Sequence, residues 1–408
     1  MPGTIELEKR AKAALRKPSP LGEDIDLSEF DASPTEHPYM EETEIWSMPE
    51  EEKERLIMAG LDPEGKNRGG TYFQKDTSVI HCGSKAEGVD VLPVRKAVET
   101  EEWLKKYYWQ LVPVDMDKYT ASAALDLHDG YVIRARAGAK GIYPVQACLY
   151  TDKSGLQQNV HNVIVVEEGA ELHIINGCTT SPGMKGGLHV GVSEFYVHKN
   201  ASLSFTMIHN WAEDMYVRPR TVVHVEEGGH FTNNYICMKP VNDLQMYPSV
   251  YLKGEGSVAR LYSIILGSPG SEYDIGGRAY LKAPNSRVEI ISRAISNGGR
   301  IIPRGHLVGE VPDIKAHLEC RGLILNGGMI HAIPELQGFA DGVEMSHEAA
   351  VGKIAQDEIH YLMSRGLSED EATSVIIRGF LSLDIPELPE ELQEQIDRAV
   401  ETSDTKAM

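Results

Sequence analysis

From about residue 79 to residue 335, apolar and polar positions alternate with a period of two in short runs that come in pairs. "VIVVEEGAELHII", "SEFYVHKNASLSFTMI", "TVVHVEEGGHFTNNYI", "SVYLKGEGSVARLYSII", "RAYLKAPNSRVEIIS" and "VPDIKAHLECRGLIL" mostly share one design: a β-rich run, a polar turn, and a second β-rich run. Val, Ile, Tyr and Thr dominate these runs, as strands require. The turns fall at Gly169, Asn200, Gly228, Gly256, Asn285 and Pro312, at intervals of 31, 28, 28, 29 and 27 residues. A near-constant period of that size marks a stacked repeat. One unit cannot bury its inner face alone, whereas a stack can. The pattern therefore predicts a mainly β chain whose core is a parallel β-helix with two strands per coil. A β-sandwich with evenly spaced loops is the alternative, but sandwiches turn about every 8–12 residues.

The flanks read differently. Residues 1–78 form a polar, acidic region of helices and connectors. There "MPEEEKERLIMAGLDPEGK" predicts a short helix, with Glu50, Glu51 and Glu52 at its start and Gly60 at its end. Residues 336–408 form a C-terminal helical region, with the change to helix at about 346. Ile359, Leu362 and Met363 make one apolar stripe, stopped by Gly366. Ser368 and Glu371 form a capping box for a helix with Ala372, Val375 and Ile376 as its apolar face, and a third helix starts at Pro389.

Composition narrows the function classes. The 408 residues carry 61 acidic against 40 basic side chains, a net charge of −21, and no Lys/Arg cluster. A nucleic-acid partner needs a basic patch, so none is expected. No stretch nears the length of a membrane span, and "MPGTIELEKRAKAALRK" lacks the apolar core of a secretion signal. Cysteines 82, 148, 178, 237 and 320 are odd in number, irregularly spaced and without a CxxC. They form no disulfide framework, which places the chain in the reducing cytoplasm.

Three motifs invite chemistry. "GLDPEGKN", residues 60–67, nearly matches a phosphate loop. It has Asn67 where a hydroxyl would hold magnesium, and it follows a helix rather than a strand. "SHEAAVGK", residues 346–353, begins like the zinc-protease signature, but Val351 stands where the second histidine belongs. On its own it reads as a surface loop with two unpaired polar residues, His347 and Glu348. Among the thiols, strict alternation puts Cys320 on the face of Leu318, where it would be buried. The adjacent Arg321 is expected to favour its thiolate, the soft ligand of iron–sulfur clusters. Cys178 sits at a strand end in "NGCTTSPG". Cys82, Cys148 and Cys237 read as core thiols.

The run "ECRGLILNGGMIHAIPELQGFADGVEMSHEAAVGKIAQDEIHYLMSRGLSEDEATSVIIRGFL" closely resembles the SufB/SufD family of iron–sulfur cluster assembly proteins. The matching pieces are the cysteine strand, a P-x-L turn before "ADGVE", then "SHEA", then "YLMSRGLSEDEA". Upstream, "VVEEGAELHIINGCTTSP" resembles the family's "EGCTAP" region, and the likeness covers most of residues 145–400. It implies a right-handed parallel β-helix flanked by helical N- and C-terminal regions. It also implies pairing through the end of the β-helix, and a SufC-like ABC ATPase docked on the C-terminal helical domain. Recipient apo iron–sulfur proteins follow as further partners.

The chain mixes marks of the two branches. Cys320 and Glu348 match the functional cysteine and glutamate of the SufB branch, whereas His347 matches the functional histidine of the SufD branch. Cys178 falls on the "EGCTAP" cysteine, which adds it as a further candidate metal ligand. Where the SufB branch has "YFRIN", this chain has "QACLYTD", with Tyr150 and Asp152. Both halves of what a heterodimer divides thus stand in one chain, which implies a homodimer that holds a transient iron–sulfur cluster through Cys320, Glu348 and His347. This reading makes the chain a scaffold and not an enzyme. Two alternatives are a SufD-like structural partner and a β-helix carbohydrate-active enzyme. The latter needs facing carboxylates, for which the candidates are Asp126, Asp129, Glu213 and Asp214.

Overall fold

The period of the chain is set at its corners. A computed structural model describes residues 4–45, 47–61 and 67–381. In it the backbone turns left-handed at Gly169, Asn200, Gly228, Gly256 and Asn285, with φ of 68°, 54°, 62°, 68° and 60°. Glycine and asparagine take that conformation at least cost. The sixth corner is Asp313, φ 59°, not Pro312, because the proline ring holds φ negative. The series extends to Gly138 before and Gly342 after. Successive corners are joined amide to carbonyl, as in Asn200 N–H to Glu227 O at 2.8 Å and Asn285 N–H to Asp313 O at 2.9 Å.

Between corners, each full coil gives one strand to each of two sheets, which have ten and twelve strands among the described residues. The first sheet stacks Val145–Thr151, Glu171–Thr180, Ser202–Asn210, His230–Cys237, Val258–Gly267, Arg287–Asn297, Lys315–Leu325 and Glu344–Gly352 in strictly sequential order. All these neighbours pair in parallel. Antiparallel pairs occur at the other end, where Gly70–Lys75 meets Ser78–Ser84 and Val89–Pro93 meets Tyr131–Ala135. This is a β-solenoid. Its inward residues, such as Ile174, Phe205, Phe231, Leu261, Ile290 and Leu318, fill one continuous core.

Helices cover the outside of the stack. Thr4–Ala14 and Lys118–Leu125 pack on Leu188, Val190 and Val192 of the second sheet. Leu56 and Ala59 pack on Phe73, Cys148 and Tyr150 of the first. Glu50–Met58 ends at Gly60, φ 81°; residues 62–66 of the phosphate-loop lookalike lie outside the described residues.

The C-terminal change to helix comes later than 346. Glu344–Gly352 is a strand, and helices follow at Gln356–Ser364 and Glu369–Leu381. Gly366 and the Ser368–Glu371 capping box stand as read. The buried side of the second helix, however, is Ala372, Ser374, Ile377 and Leu381, while Val375 is exposed. Ile377 and Leu381 rest on Ile264, Ile295 and Leu323 of the first sheet, so the flat sheet selects the stripe next to the one periodicity suggests. In the first helix Ile359 is buried and Met363 exposed. The helix read from Pro389 lies outside the described residues.

Candidate functional site

Lys315–Leu325 alternates strictly. Ala316, Leu318 and Cys320 join the core, while His317, Glu319 and Arg321 point outward. The next coil lays Glu344–Gly352 beside it in register, pairing Leu318 with His347, Glu319 with Glu348 and Cys320 with Ala349. Register partners in a parallel ladder share a face. His347 is therefore on the side of Cys320, one strand across and two residues along, roughly 8 Å between Cα atoms. Glu348 is on the opposite, outer face. The "SHEA" segment is a terminal strand and not a loop, and its glutamate is paired. Arg321 Nη2 lies 3.1 Å from Glu348 Oε1.

Cys320 is only 2 % exposed. Burial pushes its thiol up to about 11; Glu319 adds to the shift and Arg293 opposes it. The expected help from Arg321 is absent because adjacent residues on a strand face opposite ways. Arg321 instead bridges Glu319, Nε to Oε1 at 3.0 Å, and Glu348. Glu319 also pairs with Arg293. The cysteine is thus held as a neutral thiol in the solenoid core.

Cys178 is elsewhere. It is fully buried on Glu171–Thr180, five ladder steps from the Cys320 strand, roughly 24 Å at the usual strand spacing. Asn176 Nδ2 donates to its sulfur at 3.3 Å and Met207 Sδ lies at 3.7 Å. Burial raises its pKa strongly. Cys148 and Cys237 are buried and Cys82 half-buried, and all five thiols are free. Tyr150 packs with Leu56 of the helix Glu50–Met58, and Asp152 pairs with Lys75 at 2.9 Å. Among the described residues no three His, Cys, Asp or Glu side chains are grouped to hold a metal. Of the three residues that the resemblance implies as ligands, Cys320 and His347 thus lie on one face and Glu348 on the other.

Two features escaped the sequence. The first is the row Arg293, Glu319, Arg321 and Glu348. Its signal is the coil length: 28 residues separate the two arginines and 29 the two glutamates. The second is a cavity of about 50 Å³ inside the solenoid, lined among others by Asn162, His189, Met207, His209 and Tyr235. His189 bonds Gln158 at 2.9 Å and His209 bonds Tyr235 at 2.8 Å. Burial lowers both imidazoles to about 3, so they are neutral. The carboxylates considered for hydrolysis sit apart from this cavity. Asp126 caps a helix, Asp129 accepts from Arg95 N–H at 3.2 Å, and Glu213 and Asp214 lie exposed after Ser202–Asn210.

Residues 149–380 match the family model described as the SUF system FeS cluster assembly, SufBD core domain. The chain is similar to an iron–sulfur cluster assembly SufBD family protein of Methanothermobacter thermautotrophicus, 46% identical over 402 residues, 97% of this chain and 98% of the relative. It is likewise similar to one from Archaeoglobus fulgidus, 49% identical over 354 residues, 86% of this chain and 95% of the relative. One from Pyrococcus horikoshii is 31% identical over 404 residues, 97% and 90%.

Proposed function

Because this chain belongs to the SufB/SufD family of the SUF iron–sulfur cluster assembly system, whose members are scaffolds without turnover of their own, we propose that it builds a labile cluster between two copies of itself. The observation that carries this reading is that Cys320, His347 and Glu348 all stand on the last two strands of the first sheet, Cys320 and His347 on one face and Glu348 on the other, beside an open edge. The terminal strand is exposed and has a ladder neighbour on one side only among the described residues. An open edge of nine residues is a template for pairing. A two-fold pairing there would place two copies of each ligand at one interface. The cluster is cargo in this scheme. Mixed ligation by thiolate, imidazole and carboxylate would hold it less firmly than four thiolates and so favour its handover to apo iron–sulfur proteins.

The burial of Cys320 fits a resting state that an energy source must open. In our reading that source is a SufC-like ABC ATPase docked on Gln356–Leu381, where Tyr361, Met363 and Val375 are exposed at 58%, 40% and 46%. The helix Glu369–Leu381 rests on the sheet strands that lead to Cys320, which gives a docked partner a lever on the site. Free thiols throughout fit the cytoplasm, and among the described residues no helix is long and apolar enough to cross a membrane. Cys320 and Glu348 favour the SufB-like role over a purely structural, SufD-like one.

Native mass spectrometry of the purified chain after anaerobic reconstitution tests this. A cluster carried by a dimer is expected. A cluster on a monomer, or none unless a second scaffold subunit is added, would overturn it.

A further inference from the structure

We propose that two copies of the chain pair antiparallel through Glu344–Gly352 with Glu348 on the two-fold axis, and that Arg321 is the positioning residue that neutralises this register. The inference rests on the two-copy reading above and adds which residues meet. The last strand of the second sheet, Ile333–Gly338, contains Pro334, which has no N–H to donate. The nine-residue strand of the first sheet is therefore the edge that pairs along its whole length. A two-fold pairing keeps core-side residues opposite core-side residues, and only the register centred on Glu348 uses all nine. On the core side it sets Met345 opposite Val351 and His347 opposite Ala349. Val351, 41% exposed in one copy, thereby gains Met345 of the other. On the outer side Glu344 stands opposite Gly352, Ser346 opposite Ala350, and Glu348 opposite itself.

The conflict in this register is the Glu348 pair. Like charges directly opposite each other are destabilising, and a charge in the middle of an edge strand bars self-pairing. Here the bar is lifted from the strand behind. Arg321 Nη2 lies 3.1 Å from Glu348 Oε1, and Arg321 Nε lies 3.0 Å from Glu319 Oε1. Glu319 pairs in turn with Arg293. Each copy thus brings a row of two arginines and two glutamates without net charge, in a chain whose net charge is −21. The register partner of Arg321 is Ala350, whose small side chain leaves the guanidinium room to reach diagonally to Glu348. Arg321 spans two carboxylates, which a guanidinium fork does and an ammonium does not. The other polar groups on this face of the strand are matched within the copy, Glu344 to Lys315 at 2.8 Å and Ser346 to His317 at 2.9 Å.

Disulfide capture reads the axis. Opposite Cα atoms of an antiparallel pair are about 4.5–5.5 Å apart, within disulfide reach, and only a residue on the axis stands opposite its own copy. Ser346 is four residues along from its own copy, roughly 13 Å. Under mild oxidation of the full chain, Glu348→Cys should give a covalent dimer, and Ser346→Cys and the wild type should not. Sedimentation then tests Arg321. Arg321→Gln should weaken the dimer about two- to thirtyfold, the span of two exposed ion pairs. Arg321→Lys should fall between that variant and the wild type, and Arg321→Gln with Glu348→Gln should restore wild-type pairing. A loss that Glu348→Gln does not restore, or no loss at all, would overturn the role of Arg321. If the wild type dimerises but His347→Cys or Ala349→Cys links to itself in place of Glu348→Cys, the register is wrong and the two-copy reading stands. If the wild type stays monomeric at every concentration, that reading falls and the register with it.

Discussion

The closed state of Cys320 makes a quantitative prediction about its reactivity. Only the thiolate is alkylated, so the rate follows the ionised fraction and the access. With its pKa raised from the ordinary 9.0 to about 11, the thiolate fraction at pH 8 falls from roughly a tenth to roughly a thousandth, about a hundredfold. Burial to 2 % exposure slows the reagent further. The perturbation is iodoacetamide treatment of the resting chain from pH 7 to 10, with each cysteine followed by peptide mass spectrometry and an unstructured cysteine peptide as reference. Cys320 should react at least a hundredfold more slowly than the peptide at pH 8. Its rate should still be climbing at pH 10, where the peptide has levelled off. Adding the proposed SufC-like ATPase and ATP should raise the Cys320 rate selectively, while fully buried Cys178 stays inert. A rate at pH 8 within a fewfold of the peptide, with a plateau by pH 9.5, would refute the closed resting state.

Other expectations follow from the fold. Glu194 is fully buried and accepts from the Trp109, Leu111 and Val112 amides and from His161 at 3.0 Å. Glu194→Ala should therefore cost about 3–5 kcal/mol in urea unfolding; a change under 1 kcal/mol would argue against this anchor. At the corner Asp313, φ 59°, Asp313→Val should cost roughly 1–2 kcal/mol and Asp313→Gly almost nothing, as read by denaturant midpoints. Tyr361→Glu with Met363→Glu, both on exposed positions, should abolish binding of the proposed SufC-like ATPase in calorimetry and leave the melting temperature unchanged.

The stack was legible because its corners need left-handed residues, and such residues recur audibly along a chain. Pro312 was misplaced by one residue for the same reason, since the corner needed Asp313. The core side of Cys320 followed from simple alternation. The terminal strand was not legible. Neither of its faces is buried, so it carries no hydrophobic period, and its strand character comes only from the ladder with Lys315–Leu325. The true partner of Arg321 was hidden likewise. Local reading looks at Cys320 beside it, whereas the solenoid brings Glu348 from 27 residues away. For Glu369–Leu381, helical period defines an apolar side only to within one residue, and contact with Ile264 and Ile295 selects Ile377 over Val375.

The central claim is that Cys320 anchors a cluster on this chain. Anaerobic reconstitution with iron and sulfide, read by visible absorption and iron counting, tests it most directly when Cys320→Ala is run in parallel. The account predicts a sulfide-to-iron charge-transfer band in the wild type and its loss in the folded, dimeric variant. An equal band and iron content in Cys320→Ala would contradict it.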